Sequence, residues 1–335
     1  MDTIPQIMRA IEFPALGTVA VTTMPFPAAP MPGEVLLRTE YLGICGTDLH
    51  LLHGRHPWVR PPVIIGHECV ATVMQTGAAD GRFRPGQRVV VNPLFTCGHC
   101  RACVAGAPNH CETAKVMGFR LPGAGRTHFV VSESQLHHVP VGVDPKLASL
   151  AEPLAVGIHA ASRAADLEKV MIIGGGTIGL CVLLAALMRN AAEVRVVEPV
   201  ASKRALALKL GAREAIAPES ITDASGYTTV FDCVASQATL DAACRATIGG
   251  GTVVVVGVAE AMREIPMPRL QRFEIDLIGS GMYVPADIDT AIAALAHGQI
   301  DAAALITAVR SIDVAPAAYE EAMEPDSIKV LITMN

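Results

Sequence analysis

The chain has 335 residues and a net charge of −6, with 51% hydrophobic against 17% charged residues. That is material for about two domains of roughly 100–200 residues each, with large cores and no case for disorder. A nucleic-acid surface is excluded, because it needs clustered Lys and Arg and no basic block is present; no acidic tail or charge run marks a partner either.

The start, MDTIPQIMRAIEFPALG, lacks a basic stretch followed by an apolar one. No signal peptide is expected, and the compartment is read as the reducing cytoplasm, where structural disulfides are rare. From Ala10 to about Pro140 the chain is rich in Gly and Pro, with short β-like runs at EVLLRTEYLGI, VIIGHECVATVMQTG and RVVVNPL. That texture predicts a strand-and-loop domain. Within it, Cys45, Thr47, Asp48 and His50 fall in GICGTDLH, and His67 and Glu68 in IIGHE. Taken singly, Cys45 reads as a buried thiol and His67 as a core histidine.

Next comes TCGHCRACVAGAPNHC, which crowds Cys97, Cys100, Cys103 and Cys111 into one loop. An odd total of nine cysteines and a reducing compartment count against a disulfide knot. A redox C-x-x-C opens a helix in a thioredoxin-like unit that is not visible here. A ferredoxin-type run usually places proline after its last cysteine, where this chain has Glu112. Four soft thiolates on a short loop suit a closed tetrahedral zinc site.

From about Ala148 apolar strands alternate with Ala/Leu-rich helical stretches: KVMIIG, TIGLCVLLAALMRN, EVRVVEP, ASKRALALKLGA, TVFDCVA, SQATLDAACRAT, GGTVVVVGVA and IDLIGSGMY. This alternation predicts an α/β, doubly wound parallel sheet. Val170 to Met188 is uncharged and long enough to span a bilayer, but three consecutive glycines fit a buried strand, a turn and a buried helix better. Gly174, Gly176 and Gly179 form G-x-G-x-x-G between that strand and helix, with Thr177 and Ile178 inside the motif. In this setting the glycines allow a tight turn, close approach of a pyrophosphate, and close helix–strand packing. The alternative is a turn that serves packing only. Glu198 ends the next strand, where an acid would grip the adenosine ribose and repel a 2′-phosphate, favouring NAD over NADP. Lys203 and Arg204, just beyond, pull the other way. In the tail, PADIDTAIAALAHGQ and APAAYEEAMEP read as helices and KVLITM as a strand returning to the first domain.

In order, GICGTDLH, IIGHE, CGHCRACVAGAPNHC, EPLAVGIHA and GGGTIG resemble the zinc-dependent members of the medium-chain dehydrogenase/reductase superfamily, the alcohol and polyol dehydrogenase group, over nearly the whole chain. The resemblance implies a GroES-like β-rich catalytic domain from residues 1–153 and 284–335, with a structural zinc lobe at about 95–113, and a Rossmann domain from 154–283. It implies that Cys45, His67 and Glu152 hold a catalytic zinc ion, that Glu68 can enter its shell, that Asp48 orients His67, and that Thr47 and His50 relay a proton. It implies that Val156, Val234 and Val258 contact the nicotinamide and that Lys329 reaches the pyrophosphate. Trp58, Phe95, Phe119 and Met282 are candidates for the substrate pocket, though the aromatic residues fit a core equally.

The implied reaction is reversible oxidation of a secondary alcohol to the ketone by zinc alkoxide formation and hydride transfer to nicotinamide C4. The GHE and EP patterns resemble the sorbitol, threonine and butanediol enzymes, whereas ethanol-type relatives carry a third cysteine ligand. Sorbitol-type enzymes often have Phe-Arg-Tyr where this chain has Gly281, Met282 and Tyr283. Loss of that arginine places polyols, vicinal diols and hydroxy-amino compounds ahead of sugar acids, the alternative, for which Arg120 is a replacement cation. A non-catalytic nucleotide-binding relative would not need Cys45, Thr47, His50, His67 and Glu152 together. The implied cofactors are zinc at both sites and NAD ahead of NADP; the partners are a small-molecule alcohol or ketone, no nucleic acid, no membrane, and further copies of the chain, a tetramer ahead of a dimer.

Overall fold

The computed structural model describes residues 6–56, 59–221 and 226–335. The chain divides into two compact units. One runs to Glu152 and takes back Ile292–His297 and Ile306–Asn335; the other holds Pro153–Ala291 and Gly298–Leu305. Relative to the expected 154–283, the second unit keeps the first part of helix Pro285–Ala296, where Ile288 and Ala291 are fully buried and Asp287 pairs with His159 at 2.9 Å.

The first unit is built on a seven-stranded sheet. Its main path runs Leu136–His138, Arg88–Val91, Glu68–Thr76, Glu34–Gly43, Lys329–Thr333 and Ile306–Ser311, and His128–Ser132 also pairs with Glu34–Gly43. The returning strand lies where the tail was expected to go: Lys329–Thr333 runs antiparallel to Glu34–Gly43, with Leu331 opposite Gly43. Its other neighbour, Ile306–Ser311, was not expected. That strand shows no regular apolar alternation, and only its parallel pairing with Lys329–Thr333 makes it a strand. A smaller sheet of Ala20–Pro25, Ile7–Phe13 and Val63–Ile64 completes the core, into which Phe13, Leu37, Leu42, Ile65 and Phe129 bury fully.

The second unit is a six-stranded sheet, parallel throughout, in the spatial order Glu214–Ile216, Glu193–Val197, Lys169–Ile173, Tyr227–Asp232, Thr247–Val255, Asp276–Gly279. The order reverses direction between Lys169–Ile173 and Tyr227–Asp232. That is the topological switch point of a Rossmann sheet, where the strands' C-terminal ends open a crevice for a ligand. The stretch that could pass for a membrane span is here strand Lys169–Ile173, the glycine turn and helix Thr177–Met188, whose residues Gly179 to Ala186 are buried within the unit. Among the described residues no helix is long and apolar enough to cross a membrane. Helix Ala151–Ser162 was not expected, since it contains Pro153 and Gly157. Proline is tolerated in a first turn, and Gly157 is needed: a Cβ there would meet the Cys181 backbone at 2.5 Å, so helix Thr177–Met188 approaches closely.

Candidate functional site

The cysteine loop closes on itself. Gly98 and Gly106 adopt φ of +74° and +78°, which turns the chain on either side of helix Arg101–Val104. The four sulfurs converge, with Cys97–Cys103 at 3.9 Å, Cys100–Cys103 at 3.5 Å and Cys111–Cys97 at 3.7 Å. Thiolates about 2.3 Å from a central zinc ion would stand about 3.8 Å apart at the corners of a tetrahedron, so the donor set fits that ion. No disulfide forms among the described residues. The backbone N–H groups of His99 and Cys100 point at the Cys97 thiol and lower its pKa to about 6, toward the thiolate that a metal takes. Cys100→Ser is expected to release this metal and lower the Tm by on the order of 10 °C, because metal binding here is folding energy. A thermal melt and metal analysis check it; an unchanged melt with full metal content would refute the lobe's structural role.

A second cluster gathers Cys45, His67 and Glu68, whose ligand atoms all lie within 4.8 Å of one another. Cys45 precedes helix Gly46–Leu52, and its backbone N–H donates to Asp48 Oδ2 at 3.1 Å. That bond turns the other oxygen, Asp48 Oδ1, toward His67 Nδ1 at 3.6 Å. Both atoms are buried and neither has a hydrogen-bond partner. Burial opposes an imidazolium at His67, yet the charges of Asp48, Cys45 and Glu152 outweigh it and raise its pKa well above the usual value. A buried thiol and several carboxylates with too little positive charge among them is an environment that fits a bound cation.

Glu152, nearly buried in the first turn of helix Ala151–Ser162, reaches His67 electrostatically but does not join the 4.8 Å set. The Cys45 thiol donates to Thr47 Oγ1 at 3.6 Å. His50, in the last turn of the same helix, is three residues from Thr47 and shares its face. The Phe119 ring lies 5.0 Å from that of His67 and stacks on His56 at 5.0 Å, which places Phe119 beside the cluster. Phe95 packs against the core of this unit, Arg120 is exposed, and Trp58 lies outside the described residues. Met282 belongs to the other unit, at a φ of +55°.

One expectation is corrected. Lys329, read as a pyrophosphate contact, is 1% exposed, and its ammonium donates to both Glu68 oxygens, at 2.8 and 2.6 Å. A lone cation inside the apolar run IKVLITM was the signal for such a buried pair. Tyr319 carried no signal. It is buried edge-on against Phe13 at 5.2 Å with its hydroxyl unpartnered. Burial, then the charges of Asp48, Cys45 and Glu68, hold its pKa well above the usual value.

In the second unit the glycine turn has the shape that the motif predicts. Gly174 has φ +101°, and a Cβ there would sit 2.9 Å from Val234 Cγ2; one at Gly179 would sit 1.8 Å from the Gly174 carbonyl oxygen. Gly176 differs. It caps helix Thr177–Met188 with no atom within 4 Å of where its Cβ would be, a cradle open to a phosphate beside unpaired helix amides. Thr177 and Ile178 follow, half-buried.

Glu198 accepts the Gly175 N–H at 2.7 Å and the Val200 N–H at 2.9 Å, so it braces the turn while facing a cavity of about 460 Å³ also lined by Gly174, Val234 and Arg245. Arg204 turns onto the Glu198 and Pro199 carbonyls at 2.8 and 2.7 Å, and Lys203 is half-buried on the same helix. Val234 and Val258 are exposed at the C-terminal side of their strands, with Gly257 packed against Val234, and Val156 is half-buried. These features fit a dinucleotide.

Comparison with known proteins agrees with this geometry. Residues 31–141 match the family model of the alcohol dehydrogenase GroES-like domain, and residues 177–297 that of zinc-binding dehydrogenases. The chain is 36% identical to a 2-dehydro-3-deoxy-L-galactonate 5-dehydrogenase of Pseudoalteromonas atlantica, over 92% of this chain and 93% of that protein. It is 30% identical to a sorbitol dehydrogenase of Bacillus subtilis, over 99% of each. A structure from Sinorhizobium meliloti, described as a zinc-binding dehydrogenase bound to NADP, superposes with a TM-score of 0.92 at 29% identity, covering 98% of this chain and 100% of that one. A GroES-like half, a Rossmann half and two clusters of metal-ligating side chains thus meet in one chain, which belongs to the zinc-dependent medium-chain dehydrogenase/reductase family, oxidoreductases acting on CH–OH groups.

Proposed function

We propose that the protein oxidises a secondary hydroxyl on a polyhydroxylated carbon chain to the ketone, reversibly, with NAD as the hydride acceptor. The observation that carries this reading is the make-up of the buried cluster: one thiol, one imidazole and the carboxylates Glu68 and Glu152, with no second thiol. Cys45 and His67 would hold a zinc ion there, completed by a carboxylate, and Cys97, Cys100, Cys103 and Cys111 a second, structural one. When bound, the catalytic ion supplies Lewis acidity that lowers a substrate hydroxyl's pKa, and the nicotinamide supplies the hydride acceptor.

The chain's own residues do the rest. Thr47, against the Cys45 sulfur, accepts the hydroxyl proton, and His50 on the same helix face passes it to solvent. Asp48 keeps the proton of His67 on Nδ1, so that Nε2 faces the ion. The glycine turn receives the pyrophosphate, Glu198 the adenosine ribose, and Val156, Val234 and Val258 shape the nicotinamide pocket. Self-association suits the outer strand Asp276–Gly279 of the parallel sheet and the exposed Met262 and Met267. A reducing cytoplasm suits nine cysteines among which no disulfide forms.

A second reading, a sugar acid carrying the same secondary hydroxyl, draws on the Pseudoalteromonas relative; the exposed Arg120, next to Phe119, is the cation that would meet its carboxylate. The test is a panel of butanediol, sorbitol, threonine, a hexonate and ethanol at equal concentration, with NAD and with NADP. The expected result is the highest kcat/KM for a polyhydroxylated substrate and a preference for NAD of about tenfold or more, since Glu198 repels a 2′-phosphate. Ethanol at the top of the panel would overturn the substrate reading, and equal use of NADP the cofactor reading.

A further inference from the structure

Glu68 and Lys329 are 261 residues apart and meet across a strand. Glu68 opens strand Glu68–Thr76 on one side of Glu34–Gly43, and Lys329 opens Lys329–Thr333 on the other. Gly43 lies opposite Glu68. Because Gly43 has no side chain, the carboxylate can lie over the strand; a Cβ there would stand 2.2 Å from Glu68 Oε2. Lys329 reaches over from the far side and gives Nζ–H bonds to Oε1, to Oε2 and to the Ile44 carbonyl, at 2.8, 2.6 and 2.8 Å. The ammonium's three protons thus meet three acceptors, two of them on one carboxylate, with both side chains almost wholly buried.

That carboxylate also lies in the 4.8 Å set with Cys45 and His67. It therefore stands between two positive centres, the Lys329 ammonium and the cation held by Cys45 and His67. A catalytic zinc ion needs an open position for substrate, and a further carboxylate moving onto it would close that position. We propose that Lys329 is a positioning residue that holds Glu68 outside the metal's coordination shell, so that Glu68 acts as a nearby anion and the substrate position stays open. This inference rests on the reading that Cys45 and His67 hold a metal ion.

The test uses the full-length protein with its lobe zinc retained and cobalt(II) at the second cluster, because cobalt's visible band weakens as coordination rises. Glu68→Gln is expected to leave the band as in the wild type. Lys329→Met is expected to weaken it by about twofold, as for a change from four to five ligands, and to slow release of the ion to a chelator. Lys329→Arg should keep the wild-type band, and the double variant Glu68→Gln/Lys329→Met should restore it. A changed band in Glu68→Gln would show that Glu68 already ligates and would overturn the proposal, as would an unchanged band in a folded Lys329→Met. If Lys329→Met does not fold, Glu68→Gln decides alone. Failure of the underlying metal reading looks different: Cys45→Ser would then retain the cobalt band.

Discussion

Cys45→Ser is expected to lower kcat by roughly 10³-fold or more, because a Lewis acid contributes several kcal/mol to the transition state and each 1.36 kcal/mol is tenfold. Cys45 supplies the only thiol of its cluster, and a serine hydroxyl is a poor replacement for a thiolate ligand. The fold should survive. Cys45 is half-exposed, and the bond that organises the helix start runs from its backbone N–H to Asp48, which serine preserves. Metal analysis should show the lobe's zinc retained and the other lost, with a Tm close to that of the wild type. Wild-type turnover in a variant that had lost this metal would refute the assignment.

Gly179→Ala should have the largest effect on stability in the second unit. Its new Cβ would lie 1.8 Å from the Gly174 carbonyl oxygen, which is backbone. That oxygen has little room to move, since the Gly174 N–H is tied to Val197 at 2.9 Å and a side chain of Val234 crowds its Cα. Overpacking of this kind costs about 3 kcal/mol or more when the obstacle is rigid, and soluble yield should fall with it. Gly176→Ala is the informative contrast. Nothing lies within 4 Å of that Cβ and the backbone there is ordinary, with φ −74°. The variant should melt like the wild type but show a raised KM for NAD, because the methyl group fills the approach of the pyrophosphate. Equal melting of the two variants would mean that the third glycine of the motif is not a packing requirement here.

What was legible without coordinates was whatever the chain closes over a short distance. Cys97 to Cys111 span one loop, so the spacing alone dictates that four thiols converge, and the sulfur distances followed. Gly174 to Gly179 span one turn between a strand and a helix, each recognisable from its own apolar pattern. Helix Ala151–Ser162 was missed because Pro153 and Gly157 mask it, and the reason for Gly157 is the backbone of another helix.

The active cluster is different in kind. Cys45, His67, Glu152 and Lys329 come from separate strands and helices, and only sheet order and register bring three of them together with Glu68. Local composition carried the identity of the ligands through their resemblance to a family, but it could not say what faces them. Lys329 was assigned to a phosphate because a cation near a nucleotide fold suggests one. Pairing of its strand with Glu34–Gly43 instead buries its ammonium against Glu68, where an unpaired charge could not be sustained. The sequence by itself determined which side chains could bind metal and nucleotide, because those motifs are local. Only the tertiary structure decided which charge neutralises which, because a buried ion pair depends on register between strands that lie far apart along the chain.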